Sequence, residues 1–153
     1  MHSRVVLLMS TLLVIGCGGE KPPATYAVKG VVTFEGKPLA GANVVLVPTN
    51  PTDPAVKSAG AVTDSQGNFA VKTYWNADNQ LDGALPGDYG ITVSKLEERD
   101  VPPDMKPEDV MALHMKLGPP KSLLPAKYNV PATSGFKVTV GKSSPEPLKL
   151  DLQ

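Results

Sequence analysis

The feature that most constrains this chain is a series of short segments in which apolar and polar residues alternate, separated by glycine and proline. In the clearest of them, 88–95, Tyr89, Ile91 and Val93 alternate with smaller or polar residues. A period of two residues is typical of a β-strand with one buried face. The 14 glycines and 16 prolines of the 153 residues supply frequent turns. The pattern predicts an all-β domain.

About seven strands are predicted, and their number and spacing favour an antiparallel β-sandwich. Gly30, inside the first strand, predicts a bulge or a point of close packing. We expect 64–67 to connect two strands as a compact hairpin, and the last two strands to form a final hairpin. The predicted strands are 26–34, 42–48, 58–63, 68–73, 88–95, 136–140 and 148–152.

Residues 97–125 interrupt this pattern and predict one short helical insertion. The helix is expected to open near Pro107, with acidic residues in its first turn, and to stop at Gly118. A stripe of Val110, Leu113 and Leu117 predicts the side that packs on the domain.

Two roles are open for this insertion. It could cover a sheet edge and block edge-to-edge pairing, which we favour. It could instead present a surface for a partner, because loops of this length are uncommon without a function.

An apolar run at 5–15 follows Arg4 and ends at Gly16–Cys17, the layout of a secretory signal. Its length is about half of the roughly 20 residues that span a bilayer. Residues 13–17 also resemble the bacterial lipobox, after which the new N-terminal cysteine carries acyl chains such as palmitate. We therefore expect removal of 1–16, lipidation of Cys17, and attachment to the membrane through this anchor.

The residues after Cys17 support a short anchor. The segment 17–25 is polar, rich in glycine and proline, and reads as a tether before a domain at 26–153. Gly18 stands where some bacteria use Asp to retain lipoproteins in the inner membrane. The expected location is the cell envelope, with the outer membrane favoured over the inner membrane.

Charge and cysteine content exclude several classes of protein. The chain has 15 basic and 15 acidic residues, without the clustered basic face of a nucleic-acid-binding protein. Cys17 is the only cysteine, so the chain can form no internal disulfide. Lipidation of Cys17 would also remove a free thiol from an oxidising compartment.

The sequence offers little for catalysis. Once 1–16 is removed, His114 is the only histidine, and no Gly-x-Ser-x-Gly sequence provides a nucleophile elbow. One histidine without a free cysteine cannot form a His/Cys zinc site. We predict a protein that is not an enzyme and needs no cofactor.

The loop at 74–83 carries the candidate binding residues. Tyr74 and Trp75 could stack on a sugar or on a protein partner, although a partly buried pair explains them as well. Asp78 and Asp82 are weak candidates for a Ca²⁺ site, because carboxylates suit this cation. An Asx-rich turn is favoured there, and we assign no metal.

Three segments together resemble a known family. Residues 28–48, 61–69 and 83–93 are similar to carboxypeptidase regulatory-like (transthyretin-like) domains. The stretch 124–136 resembles the C-terminal part of short lipoproteins carrying this domain in planctomycete-type bacteria. The resemblance implies a prealbumin-like antiparallel β-sandwich with an adhesive, accessory or structural role. It does not imply peptidase activity.

The sequence thus predicts a non-enzymatic, lipid-anchored β-sandwich that serves as an adhesive, scaffolding or protein-assembly module. The alternative is a glycan- or small-ligand-binding module that uses the 74–83 loop. A protein or a glycan is the expected partner, and nucleic acid is not.

Overall fold

The computed structural model describes residues 22–50, 56–76, 79–99 and 101–153. Over these residues most of the regular structure is β, arranged in two sheets, which confirms the all-β prediction. The strands are β1 (Lys29–Phe34), β2 (Lys37–Pro38), β3 (Asn43–Pro48), β4 (Ala59–Val62), β5 (Asn68–Ala70), β6 (Lys72–Tyr74), β7 (Gln80–Asp82), β8 (Gly87–Ser94), β9 (Lys137–Val140) and β10 (Leu148–Leu152). The helices are α1 (Pro107–Leu117), a 3-10 turn (Ala126–Asn129) and α2 (Pro131–Ser134).

The two sheets differ in the direction of their strands. The larger sheet has the order β7-β6-β4-β3-β8-β9 and is antiparallel throughout. The smaller sheet has the order β10-β1-β2, and β5 also pairs with β1. Its β1–β10 pair is parallel, so the expectation of an entirely antiparallel sandwich is wrong at this pair.

Alternation explains which side chains form the core. In the larger sheet, Val44 faces Val93 across the β3–β8 pair and both are fully buried. In the smaller sheet, Val32 and Leu150 occupy paired positions and are buried as well. Each strand buries one face because its apolar residues recur every second position.

Tyr89 is the largest fully buried side chain of the described residues. Its hydroxyl donates a hydrogen bond of 2.8 Å to the carbonyl oxygen of Leu85. Burial disfavours the phenolate and raises the pKa of Tyr89 to about 12. The ring therefore enters the core as a neutral group with its polar atom satisfied.

The final hairpin is not formed. β9 pairs with β8 in the larger sheet, whereas β10 pairs with β1 in the smaller one. The connection between them therefore crosses from one sheet to the other.

The turn at 64–67 also connects different sheets, because β4 pairs with β3 and β6 while β5 pairs with β1. The predicted strand 68–73 is divided at Val71 into β5 and β6, one in each sheet. The turn itself is tight: the Asp64 carboxylate accepts hydrogen bonds of 2.9 Å from the N–H groups of Gln66 and Asn68. The bond from Asn68 is the main reason that the pKa of Asp64 is lowered.

A second helical region covers part of β8. The backbone N–H of Ile91 donates to the carbonyl oxygen of Phe136 at 2.9 Å, which extends the β8–β9 pairing to the residue before β9. Pro131, the first residue of α2, packs over Gly90. This region, and not the predicted insertion, covers the sheet at this point. Its one-turn helices are too short to give a periodic signal in the sequence.

Gly30 is a point of close packing, as predicted. A Cβ atom at this position would overlap the carbonyl oxygen of Leu148 and lie 2.8 Å from the Phe69 ring. Gly60, in β4, is a useful comparison because a Cβ there would be 3.5 Å from its nearest neighbour, an ordinary contact distance.

We expect Gly30→Ala to lower the free energy of unfolding by about 2 kcal/mol, because the added methyl group forces apart two sheet neighbours. The matched control Gly60→Ala should change it by less than about 0.5 kcal/mol. Urea denaturation of the two variants and the parent chain measures both effects. Equal destabilisation by the two substitutions would contradict the packing argument.

Candidate functional site

Tyr74 lies on the outer face of the larger sheet, where 63% of its surface is exposed. It borders a groove of about 370 Å³ that crosses β3, β4 and β6. The groove exists because Gly60 has no side chain between its strand neighbours Val45 and Lys72. Val62, also 63% exposed, lines the same groove. This surface could accept a flat apolar group against Tyr74.

Trp75 does not line that groove. The Nζ atom of Lys57 lies 4.3 Å from the centroid of its ring and donates a 2.6 Å hydrogen bond to its carbonyl oxygen. One face of the indole is therefore covered by a cation, a favourable cation–π arrangement. Tyr74 and Trp75 are neighbours in sequence, but only Tyr74 of the two lines this groove.

Because Trp75 is the only tryptophan of the chain, fluorescence reports on this contact directly. We expect Lys57→Ala to uncover the ring and to increase the quenching of its emission by acrylamide. Lys72→Ala, a lysine of the neighbouring groove, should leave the quenching unchanged. Equal quenching in the Lys57 variant and the parent chain would show that the ammonium group does not cover the indole.

Only one of the two weak cation candidates, Asp82, is among the described residues. Asp78 lies outside the described residues. Asp82 forms an exposed ion pair of 3.4 Å with Lys72, and its carbonyl oxygen accepts a 2.7 Å hydrogen bond from Thr25. Within the described part of the chain, no group of three or more His, Cys, Asp or Glu side chains is placed to hold a metal ion.

The expected lipidation residue, Cys17, also lies outside the described residues. The chain enters the domain at Tyr26, which exchanges two backbone hydrogen bonds of 2.8 and 2.9 Å with Ala84. Ala84 comes three residues before β8, so the N-terminal segment joins the domain at the end where β8 begins. Among the described helices, none is long and apolar enough to cross a bilayer.

At the opposite end of β8 the insertion is closed by a short ladder. Leu96 forms a bridge with Ser122, and the N–H of Glu97 donates to the carbonyl oxygen of Lys121 at 2.9 Å. The N–H of Leu123 donates to the carbonyl oxygen of Lys95 at 2.8 Å. The two ends of the insertion are thus fixed to each other where they leave the sandwich.

α1 begins at Pro107 and ends before Gly118, as the sequence predicted. The predicted packing stripe is formed in part, because Val110 and Leu113 are half-buried although no α1 residue is fully buried. Leu117, the third member of that stripe, is 52% exposed. The favoured role of the insertion, a cover for a sheet edge, therefore stays a prediction.

The most exposed apolar residues of α1 are Met111 and Met115, at 68% and 80%. Sequence reasoning missed them, although their spacing of four residues places them on one side of a helix. They border a groove of about 590 Å³ between α1, Leu96 and Pro119–Pro120. We call this surface, formed by Leu96, Met111, Met115 and Pro119–Pro120, the methionine groove.

Glu97, Arg99 and His114 also line the methionine groove. Arg99 and Glu97 form an ion pair of 3.4 Å there. The backbone N–H of Lys121, and to a smaller degree Arg99, lowers the pKa of Glu97. Glu97 is therefore ionised at neutral pH, and the lining of the groove combines apolar with polar side chains. Such a combination resembles the surfaces at which proteins associate.

Few interactions inside the described domain stabilise α1. It has 11 residues, and its N-terminus receives no side-chain capping hydrogen bond from the described residues. Pro107, two acidic residues in the first turn and Lys116 in the last favour a helix, but each contributes only a fraction of a kcal/mol. Isolated helices shorter than about 12–15 residues are marginal in water. α1 therefore depends on packing, to which the half-buried Val110 and Leu113 contribute.

No protein-family model, curated protein or solved structure matches this chain.

Proposed function

We propose that this chain is a lipid-anchored, non-enzymatic module of the cell envelope that assembles with proteins through the methionine groove. The observation that carries the proposal is the exposure of Met111 and Met115, which lie on the side of α1 away from its half-buried residues Val110 and Leu113. A helix of this length needs packing to be stable, and a partner on the methionine side would supply it. Methionine side chains suit this role because they are flexible and polarizable.

We also propose that the domain is a carboxypeptidase regulatory-like (transthyretin-like) domain. Its support comes from the turns that carry the resemblance. Glu35 and Gly36 both have positive φ, 51° and 76°, which makes a tight connection from β1 to β2. The Asp64–Gly67 turn and the buried Tyr89 are the other features that support the resemblance. Domains of this kind serve accessory and structural roles, which agrees with assembly.

The position of the methionine groove suits a protein anchored at its N-terminus. The tether enters the domain at Tyr26, which pairs with Ala84 close to the start of β8, and the insertion leaves the domain after Ser94, the last residue of β8. Eight residues of strand separate the two ends by about 25 Å. A tether at 17–25 would extend for about 30 Å at most. An anchor at Cys17 would therefore hold the domain near the bilayer with the groove at the end far from the tether.

Ligand binding at Tyr74 is the second candidate, supported by the groove at Gly60. It is less well supported than in the sequence-based hypothesis, because Trp75 does not line the groove at Gly60 with Tyr74 and Lys57 covers one face of Trp75.

The anchor is tested by metabolic labelling with palmitate in a bacterial host. We expect the full chain to incorporate label and to fractionate with the outer membrane, and Cys17→Ala to lose the label. Ser58→Ala, an exposed substitution in the domain, serves as the control and should keep it. Label retained by the Cys17 variant would refute lipidation at this residue.

Assembly is tested by photo-crosslinking in the intact envelope. The photoreactive residue benzoylphenylalanine replaces Met115 in one variant and Lys149, exposed on the smaller sheet, in the control. We expect discrete crosslinked protein bands from position 115 and a much weaker yield from position 149. Equal yields at both positions, or none at position 115, would refute the methionine groove as the assembly surface.

A further inference from the structure

The side chains of α1 form two neighbouring rows. Met111 and Met115 lie one turn apart in the first row. Glu108, Ala112 and Lys116, each four residues from the next, form the second row beside it. The second row is acidic at its start, small in its middle and basic at its end. It is charged at both ends and offers little steric bulk at its centre.

This order of charges is complementary to itself when reversed. If two copies of α1 pack antiparallel, Glu108 of each copy lies near Lys116 of the other, and Ala112 lies beside the two-fold axis. The helix dipoles then oppose each other, which is also favourable. A parallel arrangement would place Glu108 against Glu108 and Lys116 against Lys116, so like charges would repel.

We propose that the partner of the methionine groove is a second copy of this chain, bound through an antiparallel, two-fold symmetric pair of α1 helices. This inference rests on the proposed function and names its partner. In the pair, Met111 of one copy packs on Met115 of the other, and the same contact is repeated across the axis. A two-fold interface uses one patch on both copies, so a self-complementary surface is what it requires.

The interface is small, because one helix of 11 residues supplies most of it. Stable interfaces usually bury about 800 Å² on each partner. Anchoring two copies in one bilayer raises their effective concentration and favours a pair that would be weak in solution. The pairing is therefore expected in the membrane-bound protein.

The test uses disulfide trapping of the full chain in membranes under mild oxidation. Ala112→Cys places a thiol beside the expected two-fold axis. Leu117→Cys, exposed and about 140° around the same helix from Ala112, is the matched control, and the parent chain measures any dimer formed through Cys17. We expect a disulfide-linked dimer from Ala112→Cys and a yield from Leu117→Cys at the level of the parent chain.

Charge reversal tests the direction of the pair. In the Ala112→Cys background, Glu108→Lys or Lys116→Glu alone should lower the dimer yield about fivefold, because each change replaces two attractive pairs by repulsive ones. The double reversal restores opposite charges at both ends and should recover the yield. Failure of the double variant to recover, with helix content unchanged by circular dichroism, would overturn the antiparallel arrangement.

The outcomes separate this inference from the proposed function. If position 115 crosslinks to a different protein and Ala112→Cys gives no more dimer than Leu117→Cys, the second copy is refuted and assembly through the methionine groove stands. If neither position 115 nor position 112 forms a crosslink, both proposals fail. A trapped dimer with rescue by the double reversal supports both.

Discussion

The pairing of β3 with β8 at the centre of the larger sheet determines where every other part of the molecule lies. Six residue pairs join these strands, and the pairs Val44–Val93 and Leu46–Ile91 are buried without exception. The start of β8 adjoins the segment that receives the N-terminal chain, and its end leads into the insertion. Loss of this pair would remove the core and, with it, the fixed separation between the two ends of the domain.

The strands could be predicted from the sequence, but their partners could not. Alternation shows that β9 and β10 each bury one face, yet it does not specify the sheet to which each belongs. The prediction of a hairpin between them was therefore wrong, since β9 pairs with β8 and β10 pairs with β1. β7 was missed because Gln80 and Asp82 are polar and flank a single apolar residue, a pattern that a loop would also show. Gly30 was correctly interpreted because a glycine inside a strand indicates the close approach of another part of the chain, although it does not identify Leu148 and Phe69 as that part.

The candidate site was predictable in its position along the chain and not in its exposure. Pro107, the acidic first turn and Gly118 located α1 correctly. Apolar residues, however, occur on two sides of this helix, and periodicity does not show which side has a neighbour. The choice of Val110, Leu113 and Leu117 as the packing side included the two half-buried residues of α1, Val110 and Leu113, but it did not identify Met111 and Met115 as an exposed apolar side. The burial of a side chain depends on residues that are distant in sequence. Here Leu96 and Pro119–Pro120 lie across the groove from Met111 and Met115 and leave them exposed.

The ladder that joins Lys95 and Glu97 to Lys121 and Leu123 has a consequence for how such a protein can change over time. The ladder fixes the two ends of the insertion to each other. Changes in the length or composition of the chain between these ends therefore have little effect on the sandwich. Longer or shorter insertions cost little in loop-closure entropy once the ends are fixed. Specificity and stability can therefore evolve separately: α1 is free to acquire new surfaces while the two sheets remain as they are.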